Sequence, residues 1–178
     1  MNNEEILNTQ LCTPSQLIEF TMCDASIKEE YLLRAIKLAT DGDLSNCIGI
    51  PLLNSLRWLI YNNTLNEFQT ILLNSFIRPL LYWVALKSAT QDMSLKLNNA
   101  GLYGNQDNNK NTASFDTIQR MVRTYETNAS AYRMRLLKVI CEKNTEISDC
   151  IATVRNESNN AWWLQLDFHE SKIKSLIL

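Results

Sequence analysis

Two long helical patterns of apolar residues dominate the sequence, and a polar segment separates them. In the second pattern apolar residues recur at alternating steps of three and four, which places them on one side of a helix. These residues are Phe115, Ile118, Val122, Tyr125, Ala129, Tyr132, Leu136 and Val139. A helix of about 28 residues would hold them all and would be roughly 40 Å long. The pattern therefore predicts a long rod with an apolar seam.

The first pattern follows Pro79, which is expected to interrupt or kink the helix before it. Its apolar residues then recur at steps of four, at Leu81, Ala85, Ala89, Met93 and Leu97. Because Trp83, Val84 and Leu86 widen this apolar face, we expect the helix to lie centrally in a bundle. The two patterns together predict a helical hairpin joined by a long polar loop, residues 98–112.

Four shorter helices are predicted before the hairpin. A Ser or Thr side chain can cap a helix start, and the candidate caps are Thr13, Ser26 and Thr64. Pro51 suits the first turn of a further helix, and Gly42 is expected to end the helix capped by Ser26 in a left-handed conformation. The predicted core-facing residues are Ile27, Tyr31, Ala35, Ile36, Ala39, Leu52, Leu53, Leu56, Leu59, Ile60, Leu65, Phe68, Ile71, Leu72 and Phe76.

The two ends of the chain differ from this helical middle. Residues 1–12 are expected to form a flexible arm. Near the C-terminus apolar residues recur with the period of a strand, at Trp162, Leu164, Leu166 and Phe168. No earlier segment offers a clear strand to pair with these residues. Either another copy or a different partner supplies that strand, or the segment wraps irregularly over the bundle.

These patterns predict an all-α fold, a bundle of about five helices with a long helical hairpin. Only 4 glycines and 3 prolines occur among 178 residues, which favours helices over a fold with many turns. We expect an N-terminal arm with a short helix in residues 1–26, a helical domain in residues 27–144 and an extension in residues 145–178. The extension could contain a β-strand.

The net charge of −2 is unevenly distributed along the chain. Residues 1–30 carry six acidic side chains and one lysine, residues 31–143 carry thirteen basic and eight acidic ones, and residues 144–178 carry three basic and five acidic ones. This is either chance asymmetry or a sign that the ends of one subunit contact the middle of another. The isoelectric point of about 5.5 argues against sequence-specific nucleic-acid binding, since such domains are often above about 9.

No motif in the sequence indicates catalysis. The odd number of widely spaced cysteines, Cys12, Cys23, Cys47, Cys141 and Cys150, predicts reduced thiols in the cytosol rather than disulfides or a zinc site. The start of the chain has no signal-peptide pattern, and no apolar run reaches the ~20 residues that span a bilayer. We therefore expect no enzymatic activity, no metal, no cofactor and no membrane association.

Three features have the residue types of binding sites but also have simpler explanations. The single histidine, His169, is expected to lie on the surface. Gly101 and Gly104 have the spacing of a nucleic-acid clamp, but the residues between them are apolar and aromatic, which indicates loop geometry. Asp41 and Asp43 could bind a cation, and a helix-ending turn explains them more simply.

Two other features are candidates for protein contacts. Arg120 and Arg123 on the last long helix either form a solvated face or contact an acidic partner surface. Trp162 and Trp163 either anchor in a neighbouring subunit, since Trp is enriched at binding hot spots, or cover the core of their own subunit.

The order of these helices resembles the head–tail connector (adaptor) or neck ring proteins of tailed bacteriophages, most closely those of crAss-like and other Bacteroidetes phages. The resemblance covers roughly residues 27–144 and excludes the C-terminal extension. The matching residues are Tyr31, Ala35, Ala39, Ile48, Gly49, Pro79, Tyr82, Asn99, Ala100, Gly101, Leu102, Ala129, Tyr132, Leu136 and Asn144.

The resemblance implies a structural virion protein at the head–tail junction, made in the host bacterial cytoplasm. It would form a ring with copies of itself, usually twelvefold, below the portal protein, and contact further neck or tail proteins. Genomic DNA would pass through the ring without being read in sequence. The candidate interface residues are Asn99, Gly101, Leu102, Tyr103, Arg120, Arg123, Trp162, Trp163, Leu164, Leu166 and Phe168. The alternative function is a small cytosolic helical bundle that regulates a partner by binding.

Overall fold

The computed structural model describes residues 3–23, 27–98, 101–104 and 115–158, which are mostly helical, so the all-α class is confirmed. Within these ranges the α-helices are α1 (Asn3–Leu7), α2 (Pro14–Thr21), α3 (Glu29–Ala39), α4 (Ser45–Ile48), α5 (Ile50–Tyr61), α6 (Glu67–Leu72), α7 (Arg78–Ser94), α8 (Phe115–Glu142) and α9 (Asn144–Ser158). A simple bundle of five helices is not confirmed, because several of these segments are short or join into longer composite helices.

Two π-helical segments, Thr40–Leu44 and Leu73–Ile77, produce the composite helices. The first joins α3 to α4, so the prediction that Gly42 ends a helix is wrong. The second joins α6 to α7, and Arg78 keeps helical angles (φ −59°, ψ −48°) although it precedes a proline. The wider i→i+5 turn lets the chain continue through both places where local signals predicted a stop.

The helix starts follow the predicted caps only in part. Thr13 caps α2 as predicted, and the structure adds that Gln16 completes a reciprocal capping box. Thr64 is the wrong cap for α6, because Asn66 and Gln69 form the capping box two residues later. The side chain of Ser26 lies outside the described residues, and α3 begins at Glu29.

The core is built around α7, which packs against α2, α3 and α8. The predicted seam of α8 is confirmed. Val122, Ala129 and Leu136, seven residues apart, are buried, and Tyr125, Tyr132 and Val139 between them are half-buried. A repeat of seven keeps one side of a long helix against its neighbour over its whole length. Helix α8 is thus the long helix that the sequence predicted. Its packed pair with α7 is called the rod below.

Aromatic contacts join α2 to this rod. The ring of Phe20 on α2 lies 5.0 Å from that of Tyr82, 6.0 Å from that of Trp83 and 6.4 Å from that of Tyr132. Trp83 also stacks on Tyr125 at 5.8 Å. The three contacts of Phe20 are tilted or edge-on, which are favoured geometries for aromatic pairs, and they fix how α2 crosses α7 and α8.

Most predicted core faces are confirmed, with two exceptions. Tyr31 is 45% exposed, and its neighbour Leu32 is fully buried in its place. Ile71 is 50% exposed, whereas Leu73 and Ile77 beyond it are buried. Ile71 lies in α6, before the second π-helical segment begins. At about 100° per residue it points roughly 100° away from Leu72 and 200° away from Leu73, so burial of those two leucines leaves Ile71 on the outer side.

Helices α1 and α9 pack against α5 and form a second, smaller core with it. Ile6 of α1 and Val154 of α9 are buried there together with Trp58, Leu59 and Cys150. The flexible arm predicted for residues 1–12 is therefore wrong, because burial of Ile6, Leu11 and Cys12 holds this segment against the bundle. The predicted extension begins with a packed helix, α9, and the strand predicted in residues 162–168 lies outside the described residues.

A short antiparallel strand pair follows α7. Strand β1 (Leu95–Asn98) pairs with β2 (Gly101–Gly104), with Leu95 opposite Gly104 and Asn98 opposite Gly101. The prediction of a helix through Leu97 is therefore wrong, as is the prediction that the loop begins at residue 98. The apolar spacing at Leu97 fits a helix and a strand equally well, and only the pairing distinguishes the two.

Candidate interaction surfaces

The predicted contact residues fall into three groups. Arg120 and Arg123 are exposed on the N-terminal half of α8. Gly101, Leu102 and Tyr103 belong to β2, where the backbone pairs with β1 and is not a free loop. The remaining candidates lie outside the described residues, and their contacts stay predictions: Asn99, Trp162, Trp163, Leu164, Leu166, Phe168 and the single histidine His169.

Asp41 and Asp43 are each paired with an arginine. Arg57 donates from Nη2 to Oδ1 of Asp41 at 2.8 Å, and Arg133 donates from Nη2 to Oδ1 of Asp43 at 3.0 Å. The two carboxylates therefore connect the first π-helical segment to α5 and to α8. Across the described part of the chain, no group of three or more His, Cys, Asp or Glu side chains is placed to hold a metal ion.

The outer face of α8, opposite its buried seam, carries two arginines next to Asp116 in its N-terminal half and an apolar stripe next to Lys138 in its C-terminal half. Its N-terminal half presents Arg120 and Arg123, and its C-terminal half presents Met134, Leu137 and Cys141. Met134 is 69% exposed and Leu137 is 38% exposed. The sequence carried a signal for this second stripe, because Met134, Leu137 and Cys141 follow one another at steps of three and four.

A basic groove of about 380 Å³ lies between the end of α1 and α3. Its charged lining residues are Arg34, Lys37 and Arg57, and no carboxylate lines it. Arg57 is already paired with Asp41 behind the groove, whereas Arg34 and Lys37 are exposed and form no ion pair with any described residue. The groove therefore presents two cationic groups to solvent at one turn of α3.

An acidic groove of about 430 Å³ lies between α6 and α9. Glu146, Asp149 and Glu157 of α9 line it, at steps that place them along one side of the helix. Glu146 accepts a bond from Lys143 at 2.8 Å, which lowers the pKa of that carboxyl. Asp149 and Glu157 are exposed and pair with no described residue, so they carry the uncompensated negative charge of this groove.

The five cysteines are free thiols with different surroundings. Burial raises the pKa of Cys12 to about 12, partly opposed by the charge of Arg78. Burial also raises the pKa of Cys150, whose sulfur accepts a hydrogen bond from Gln69 Nε2 at 3.3 Å that acts in the opposite direction. Both thiols are protonated at neutral pH, which removes the thiolate that nucleophilic chemistry needs.

None of the described helices has the length and apolar character needed to cross a membrane.

One comparison with known proteins gives a match. No match was found among the curated proteins or among the solved structures. A family model described as a family of unknown function (DUF6712) matches residues 44–159, from the end of the first π-helical segment to the end of α9. Because that match spans well over half of the chain, the protein belongs to the DUF6712 family.

Proposed function

We propose that this protein is a structural component of a tailed-phage virion, a subunit of the head–tail connector ring. It docks below the portal protein, extends the DNA channel and joins the capsid to the tail. It acts by binding: to copies of itself, to the portal and to further neck or tail proteins. The order of helices that resembles connector proteins is the basis for this identity.

The observation that carries the proposal is the outer face of α8. An apolar stripe with Met134 at 69% exposure and Leu137 at 38% is left uncovered along a rigid helix. Burial of this stripe against a partner would be favourable, which supports its use as a protein contact. Arg120 and Arg123 extend the same face with charges that suit an acidic partner surface.

The packing of α7 against α8 supports the use of this outer face as a contact surface. The seam from Val122 to Leu136 is buried or half-buried along its length, and Lys87 of α7 forms an ion pair with Glu126 of α8. A helix held in this way presents its outer residues in fixed positions, which lowers the entropy lost on binding. Residues 98–112 and 162–168 remain the proposed contacts with neighbouring neck components.

Binding to the portal protein encoded in the same genome tests this function. We expect a stable complex with the portal ring, seen by size-exclusion chromatography with light scattering or by electron microscopy. Met134→Asp should weaken it at least about tenfold, since it places a charge in the apolar contact. Met121→Asp is the matched control, because Met121 is also exposed (40%) on α8 but points about 140° away from Met134.

The proposal is wrong if the wild-type protein never associates with portal or tail components. A protein that instead binds and alters the activity of a cytosolic target would support the alternative, a regulatory helical bundle. Equal loss of portal binding in both methionine variants would show that the outer face is not the contact.

A further inference from the structure

The basic and acidic grooves lie on opposite sides of α5. Arg57 lines the basic groove and Leu59 lines the acidic groove. On an α-helix, two side chains that are two positions apart differ in direction by about 200°. One protomer therefore presents cationic and anionic grooves in roughly opposite directions, separated by the thickness of the small core around α5.

The two grooves are matched in charge. Arg34 and Lys37 contribute two cationic groups on one turn of α3, and Asp149 and Glu157 contribute two carboxylates on α9. All four side chains are exposed, and none forms an ion pair with a described residue. A single protomer cannot bring these groups together, because α5 and its neighbours lie between them.

We propose that the α9 surface along the acidic groove of one copy packs against the α3 surface along the basic groove of the next, so that Asp149 and Glu157 pair with Arg34 and Lys37 across a head-to-tail contact. Such a contact uses two different patches and continues from subunit to subunit until rotation closes it into a ring. Complementary charge sets the register of the contact and disfavours head-to-head pairing. The inference rests on the proposed function, for which it supplies the lateral contact, whereas the outer face of α8 serves the portal.

Charge reversal in the full-length chain tests the contact. One variant carries Arg34→Glu and Lys37→Glu, a second carries Asp149→Lys and Glu157→Lys, and a third carries all four changes. We expect wild-type protein to self-associate at low salt, with sedimentation that shifts to smaller species as the salt concentration rises. Each double variant should weaken self-association at least about 100-fold, since like charges then face each other.

Restoration is the decisive part of the test. An equimolar mixture of the two double variants should regain association, because each then meets a partner of opposite charge in both grooves. The fourfold variant should regain it alone. Circular dichroism should be unchanged throughout, since the altered side chains are exposed. Lys28→Glu with Arg135→Glu is the matched control: both side chains are exposed and line neither groove, so this variant changes the net charge as the first one does and should leave self-association intact.

Several outcomes overturn the inference. The first is that the wild-type protein stays monomeric at low salt. The second is that the double variants self-associate as the wild type does, and the third is that the mixture of double variants does not regain self-association. Double variants that self-associate normally but lose the portal would assign the grooves to the portal and also overturn it. Loss of portal binding in the methionine variant of α8 is measured separately, so failure of the proposed function is distinguishable from failure of this contact.

Discussion

Arg133 of α8 donates from Nη2 to Oδ1 of Asp43 at 3.0 Å, which connects the longest helix to the π-helical segment ninety residues earlier in the chain. The side chains of both residues remain partly exposed, Arg133 at 33% and Asp43 at 42%. The bond gives each a structural role that neither residue's local sequence indicated. Asp43 orients the π-helical segment, and Arg133 is withdrawn from the basic surface of α8.

A double-mutant cycle measures this bond. Replacing Asp43 and Arg133 by alanine, singly and together, should give a coupling of about 0.5 kcal/mol in the free energy of unfolding, the size expected of partly exposed ion pairs. Chemical denaturation supplies the four values. The control is a cycle of Asp43 with Arg120. Their two changes in the free energy of unfolding should add, because Arg120 points to the opposite side of α8. A coupling indistinguishable from that control would show that the bond contributes no stability.

The buried seam of α8 should be far less tolerant of truncation than its outer face. Leu136 is fully buried, whereas Met134, two residues earlier, is 69% exposed. We expect Leu136→Ala to lower the free energy of unfolding by about 2–5 kcal/mol, because it leaves a cavity in the main core. Met134→Ala should change it by no more than about 0.5 kcal/mol. Urea denaturation of both variants checks this, and similar losses in the two would contradict the assigned faces.

Substitution by alanine should lower the stability of the fold at Gly49 and raise it at Gly42. Gly49 has φ +80° and ψ 152°, a conformation that essentially only glycine adopts. Gly49→Ala should cost about 1–3 kcal/mol through backbone strain alone, since the added Cβ would meet only Pro51 Cδ at 3.7 Å.

Gly42 lies in the π-helical segment, and an added Cβ would contact nothing within 4 Å. Gly42→Ala should therefore raise the melting temperature, by an amount that corresponds to about 0.4–1 kcal/mol, because alanine restricts the unfolded chain. Thermal unfolding of both variants tests the pair. A stabilised alanine variant at position 49 would show that the backbone there is not held at positive φ.

The ion pair between Lys87 and Glu126 should make stability depend on pH in the acid range. The hydrogen bond from Lys87 holds the pKa of Glu126 below its usual value of 4.5. The folded protein therefore binds fewer protons here than the unfolded chain does. This contribution to stability is complete above about pH 4.5 and is lost as the pH falls through the lowered value.

Comparison of wild type with Glu126→Gln measures this contribution. The difference in the free energy of unfolding should be constant near neutral pH and should shrink as the pH falls below 4.5. Asp92→Asn, an exposed change near the end of α7, is the control for loss of a carboxylate. A difference that grows towards acid pH would have the wrong sign for a lowered pKa.

The periodic features of the fold were predictable, and the interruptions were not. The seam of α8 and the cap at Thr13 follow from side-chain spacing and local hydrogen bonding, which short stretches of sequence encode fully. Gly42 and Pro79 were predicted as helix breaks, but the π-helical segments carry the chain past both. The first of these segments is paired through Asp41 with α5 and through Asp43 with α8, and such distant contacts are not encoded in the local sequence.

The sequence alone determined the helical class, the long rod and its apolar seam, because a period near 3.6 forces apolar residues onto one side of a helix. It also revealed the absence of any catalytic motif and the uneven distribution of charge. The tertiary structure decided which charges are used within the protomer: Asp43 and Glu126 have partners on other helices. It also decided that α3 and α9 present opposite charges on opposite sides of α5. Such placement depends on contacts between residues far apart in the chain, which no local pattern encodes.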